Sequence, residues 1–297
     1  LKMFITFVKN YKTNFHTIFW KNQKKLHINP QYIGCRSKIF NIKNNSKELC
    51  KKIRISKYAH REIYGLKKTN QYNLSPKLKT IYKDNDFYYL ILEKKKMSLL
   101  EFILNPYKNV NFKQLLLITQ LIFGNITLLH DKCNLLHRDI KPSNFVIDFK
   151  SNDLKLIRNN VYLQLIDFDC CKDYNSIYKD YLQFVGSKYY KKPLLENTKI
   201  TDINQEYFAM GITLCVLFTN GNYHESLFYN NTPKQNKLLL YNFILNEHHE
   251  DIFYGKLFDT EDILSLVDLI LSLLDIHNNY TMNLYTVIQN INLFIED

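Results

Sequence analysis

The chain has 297 residues with 40 Lys and Arg against 28 Asp and Glu, a net charge of +12, 46% hydrophobic residues and 14% aromatics. That much apolar and aromatic side chain excludes disorder as the main state, and 7 Gly with 6 Pro exclude a collagen-like or linker-rich chain. The length allows one large domain or two modest lobes. The six cysteines form no C-x-x-C pair and have no zinc-like spacing with histidine, so reduced thiols are expected rather than a disulfide framework. No run of about 18 apolar residues predicts a membrane span, and the opening apolar run is short for a secretory signal. An intracellular protein, cytoplasmic or nuclear, is the expectation. The lysines are spread along the chain rather than blocked together, so the charge reads as solubility and nucleic acid is not a required partner.

Residues 1–30 are aromatic and basic and read as an N-terminal extension or a capping helix. From residue 31 to residue 95, short β-rich runs follow one another: Lys38 to Ile42, Leu49 to Ile55 and Phe87 to Leu92. A helical stretch from Tyr58 to Lys68 interrupts them. Over residues 96–297 the period becomes helical. Phe112 to His130 has an apolar face, Tyr207 to Phe218 is apolar nearly all round and reads as a buried central helix, and Asp262 to Leu274 and Met282 to Phe294 are amphipathic. The expected class is α+β, with a small β-rich lobe before a larger helical one.

The richest stretch is His137-Arg138-Asp139-Ile140-Lys141-Pro142-Ser143-Asn144, followed later by Ile166-Asp167-Phe168-Asp169. Asp139 and Asn144 lie five residues apart, close enough for one tight loop to aim both at one point. Phosphoryl transfer needs these types: a carboxylate to accept the acceptor's proton, a lysine to balance the moving charge, and an amide oxygen with a second carboxylate to hold Mg²⁺.

At these residues the chain resembles the eukaryotic-type Ser/Thr protein kinase family, in a divergent form similar to viral and parasite kinases. The resemblance implies the bilobal protein kinase fold from about Tyr32 onward, ATP and Mg²⁺ as cofactors, and protein substrates whose acidic or basic character stays open. It makes Asp139 the catalytic base, Lys141 the phosphate-contacting lysine, and Asn144 and Asp167 the metal ligands. Leu49-Cys50-Lys51-Lys52 resembles the V-A-I-K strand, which assigns the α- and β-phosphates to Lys52 and its ion pair to Glu62. Leu92-Glu93-Lys94-Lys95 resembles the hinge, with Leu92 lining the adenine pocket and the backbone of Glu93 and Lys95 meeting the base. Gly186 to Pro193 resembles the substrate platform, Ser187 standing for a threonine that bonds the catalytic Asp and Lys. Glu206 stands for an aspartate that braces the catalytic loop.

The resemblance thins elsewhere. Gly34 alone remains of three glycines expected in the phosphate loop, leaving Arg36 or Lys38 to add charge toward the phosphates. Asp169 replaces the glycine of D-F-G. Leu194 and Asn279 replace both halves of a buried ion pair, a loss cheaper together than singly. An insertion near Lys150 to Asn160 reads as an extended hairpin, and Ser176, Tyr174, Tyr178 and Tyr181 are candidate phosphosites that Arg138 would meet. These departures keep a second reading open, an ATP-binding pseudokinase scaffold.

Overall fold

The computed structural model describes residues 7–9, 16–19, 25–33, 36–43, 45–105, 110–149, 161–174, 186–192, 202–221, 233–248 and 260–274. They divide into two units, Leu1–Lys95 with Asp167–Asp169, and Lys96–Ile166 with Cys170–Asp297. Gly34, the 150–160 insertion, Ser176, Tyr178, Tyr181, Pro193, Leu194, Asn279 and the helix expected from Met282 lie outside the described residues.

In the first unit, runs rich in β-branched and aromatic residues pair as one antiparallel sheet. Its strands are β1 (Phe7–Lys9), β2 (His16–Phe19), β3 (Lys25–Ile33), β4 (Ser37–Ile42), β5 (Asn45–Arg54), β6 (Leu78–Lys83) and β7 (Phe87–Glu93), in the order β1-β2-β3-β4-β5-β7-β6. The expected capping helix is therefore corrected. Phe7-Val8-Lys9 and His16 to Phe19 form a hairpin whose second strand pairs with β3, which offers these short runs a sheet to extend.

Pairing fixes which side chains share a face. Phe40 lies opposite Cys50 and Cys50 opposite Ile91, and with Tyr89 and Ile42 they form one buried cluster. Lys51 belongs to the other face, opposite Ile39 and Leu90. After β5, Ser56 caps helix α1 (Lys57–Asn70) by accepting the Ala59 N–H at 3.3 Å. The buried stripe of α1 is Ala59, Glu62, Leu66 and Thr69, so a carboxylate sits in the middle of an apolar face.

The second unit opens with β8 (Met97–Ser98) and α2 (Leu99–Ile103), whose start is fixed by a reciprocal Ser98–Glu101 capping box. Then come α3 (Phe112–Asp131), β9 (Leu135–Leu136), β10 (Phe145–Phe149), β11 (Val161–Leu165), β12 (Lys172–Asp173), α4 (Asp202–Phe218), α5 (Pro233–Glu247) and α6 (Thr260–Leu273). β10 lies between β11 and β8, while β12 pairs with β9. By length and composition alone α3 could cross a membrane, but Leu116, Ile118, Ile122, Phe123, Ile126 and Leu129 are buried in the unit, as a core helix requires. From Glu206 through Phe218, α4 is buried all round, as its composition predicts. Gly211 lets α6 approach it: a Cβ there would lie 2.8 Å from Leu274.

Candidate active site

The alternation of β5 decides which lysine goes inward. Lys51 Nζ lies 2.7 Å from Glu62 Oε1 and 2.7 Å from Asp167 Oδ1. Burial alone would depress the ammonium's pKa, but Asp167 and Glu62 outweigh it and hold Lys51 above its ordinary value. Two carboxylates share one cation here, so the fully buried Glu62 is pushed up to about 7 by desolvation, with Lys51 pulling it back only in part. The expected partner of Glu62, Lys52, is on the opposite face. Its ammonium sits 3.9 Å over the Phe87 ring and 5.4 Å from that of Tyr89. The correction is one residue along a strand, and with a period of two that moves the lysine from the face of Cys50 and Tyr89 to the face that meets Glu62 and Asp167.

Asp167 adopts a left-handed φ of 68°, uncommon for a residue with a side chain. Phe168 is fully buried, and a Cβ at Gly65 would lie 2.5 Å from its Cβ. Asp169 Oδ2 accepts from Arg36 Nη1 at 2.8 Å, so Arg36, expected to add charge for phosphates, is bonded to a carboxylate instead. In the hinge-like segment Leu92 is buried between Leu49 and Leu78. The Glu93 N–H donates to Lys77 O at 2.9 Å, so that N–H, one of the backbone groups expected to meet the base, is already bonded. Burial works against the Glu93 carboxylate, yet Lys95 Nζ at 2.8 Å and the Lys77 N–H hold it below the usual range.

In the second unit, Asp139 is the centre of a cluster. Its Oδ2 accepts from Lys141 Nζ at 2.8 Å and Asn144 Nδ2 at 2.9 Å, and its Oδ1 accepts the Ser187 N–H at 2.7 Å. Burial raises its pKa, but these donors, Lys141 first, hold it below the usual carboxylate range, so Asp139 is ionised at neutral pH. Lys141 Nζ also donates to Ser187 Oγ at 2.6 Å. Ser187 thus meets both groups through its hydroxyl and its backbone. Asn144 Nδ2 donates to the Asp139 carbonyl as well, at 2.8 Å, which commits the amide NH₂ and leaves its oxygen to face a ligand. An amide oxygen and a carboxylate are donors of the kind Mg²⁺ takes, so Asn144 and Asp167 fit the metal by chemistry.

The loop is braced from beneath. Glu206 Oε2 accepts the Arg138 N–H and its Oε1 meets His130 Nε2, both at 2.7 Å. Arg138 has a left-handed φ of 63° and its Nε donates to Cys170 O at 2.8 Å, while His137 Nε2 lies 2.9 Å from Ile166 O. Gly186, at φ 98°, lies so close that a Cβ would meet Arg138 O at 2.5 Å. Gln205 of α4 carries the following segment: its Oε1 accepts the Lys192 N–H at 2.9 Å and its Nε2 donates to Tyr190 O at 2.8 Å.

Residues 33–278 match the protein kinase domain family, and the chain belongs to that family. No curated protein matches the chain. His130 and Gln205 were missed in the sequence, while Lys51 and Arg36 were given other places there. For Lys51 a signal existed: its neighbours two residues away, Leu49 and Ile53, are both apolar, whereas those of Lys52 are Cys50 and Arg54.

Proposed function

We propose that the chain is an active serine/threonine kinase that transfers the γ-phosphate of ATP to hydroxyls of protein substrates. The observation that carries this reading is the Asp139 carboxylate, buried and surrounded by the donors Lys141, Asn144 and Ser187, which favour its charged form. In this reading Asp139 takes the proton of the acceptor hydroxyl and Lys141 balances charge on the moving phosphoryl. Lys51, fixed by Glu62, takes the α- and β-phosphates, the role that the sequence pattern gave to Lys52. Asn144 and Asp167 would hold Mg²⁺, which neutralises phosphate charge when bound. Lys at position 141, two residues after the base, is the Ser/Thr pattern. An intracellular setting, cytoplasmic or nuclear, belongs with this reading because ATP and Mg²⁺ are supplied there.

The test is transfer from labelled Mg-ATP to mixed peptides, comparing the parent with Asp139→Asn. We expect label on Ser and Thr, and a loss of about a thousandfold in the variant. A second reading, an ATP-binding scaffold, is favoured by Asp169 in place of glycine. ATP bound without transfer by the parent would establish it.

A further inference from the structure

Asp169 stands where the family has a glycine, and its side chain is only 12% exposed. A carboxylate at that depth needs a partner. The partner is Arg36, whose Nη1 lies 2.8 Å from Oδ2. The arginine is itself half exposed, and its guanidinium is steadied 4.2 Å over the Tyr58 ring in the first turn of α1.

The three residues of this turn are each held by a different element. Asp167 is held by Lys51 of β5, Phe168 by close packing on Gly65 of α1, and Asp169 by Arg36 just before β4. We propose that Arg36 and Asp169 form a positioning pair that locks the Asp167–Asp169 turn with Asp167 facing Lys51. Arg36 is then a positioning residue for the metal-binding carboxylate rather than a phosphate ligand. Without it, the stranded Asp169 carboxylate would drive the turn outward toward water, and the left-handed Asp167 would lose its bond to Lys51. The functional side of the proposal rests on the kinase reading; the lock itself does not.

Two measurements separate these parts. The first is hydrogen–deuterium exchange of the ligand-free full chain, read on peptides spanning Ile166 to Cys171. Arg36→Ala and Asp169→Gly are expected to speed exchange there about tenfold, and Arg36→Lys to restore part of the protection, with peptides from β5 unchanged in all. Glycine is the informative variant, because it restores the family residue and still removes the pair. The second is Mg²⁺ dependence of phosphate transfer. Arg36→Ala should raise the half-saturating Mg²⁺ concentration about fivefold while kcat at saturation changes less than twofold, and Arg36→Lys should bring the value back toward the parent. Exchange in Asp169→Gly equal to the parent would overturn the lock. Faster exchange with an unchanged Mg²⁺ requirement would overturn the positioning role. No transfer by the parent, with the exchange differences present, would support the lock and overturn the kinase reading instead.

Discussion

Lys51 and Lys52 have the same chemistry and adjacent places in one strand, yet one lies between two carboxylates and the other over aromatic rings. Lys51→Ala should therefore lower phosphate transfer about a hundredfold or more, since it removes a preorganised cation from the site. Lys52→Ala should leave transfer within about threefold of the parent, because the cation–π contacts it loses lie on the face away from Glu62 and Asp167. Equal losses in both would refute the assignment. A second residue-scale test concerns Cys50. Burial pushes its thiol from 9.0 up to about 12, against the pull of Lys52. Below pH 9 the thiol is protonated whether folded or not and contributes no pH dependence. Between about pH 9 and about pH 12 the unfolded chain ionises while the native one does not, so stability falls by about 1.4 kcal/mol per pH unit as pH rises. Denaturant midpoints followed into that range should drop more steeply for the parent than for Cys50→Ala.

At the scale of elements, two close contacts hold the site. In α1, Gly65→Ala would ordinarily strengthen a helix by about 1 kcal/mol. Here the new Cβ meets the Cβ of Phe168 at 2.5 Å, too near the backbone for a side-chain rotation to relieve it. The expected net effect is destabilisation of about 1–3 kcal/mol, visible as a lower denaturant midpoint. A neutral or stabilising result would mean that α1 shifts freely against the turn. In α4, Glu206→Ala leaves His130 and the Arg138 N–H without their acceptor, at a cost of about 3 kcal/mol by the same measurement. Glu206→Gln should recover part of this, since an amide oxygen can still accept from Arg138.

These elements also show what could be read in advance. Helices α1, α3, α4 and α6 and strands β4, β5 and β7 were visible because each has enough apolar residues at its own period, even where Glu62 or Lys51 interrupts it. Asp139 and Asn144 were visible because they lie five residues apart in one tight loop, and Glu206 through the resemblance of its segment to a kinase motif. The β1–β2 hairpin was not, since short aromatic runs between polar residues suit a helix or an edge strand equally until a neighbouring strand is present. Arg36 was not, because its partner lies 133 positions away and nothing local marks a pair closed by tertiary packing.

For the molecule as a whole, 40 basic side chains against 28 acidic ones leave an excess that the site itself does not concentrate. Among the described residues, Lys51, Lys141 and Arg36 at the two clusters all have acidic partners. The surplus is therefore not concentrated on these three. It should give weak retention on immobilised polyanions that fades between about 50 mM and about 200 mM salt, as diffuse counterion release requires. Retention that persists in high salt and is abolished by a few substitutions would instead indicate a dedicated nucleic-acid surface.

The Arg36–Asp169 pair also constrains the order in which such a sequence can arise. An arginine at 36 with glycine still at 169 buries no unpaired charge, because half of it lies in solvent and Tyr58 offers it a resting place. An aspartate at 169 that came first would be a nearly buried carboxylate with no cation to meet it. The accessible path therefore runs through the arginine. In lineages that diverged partway, Arg36 without Asp169 should be found, and Asp169 without a cation at 36 should be selected against.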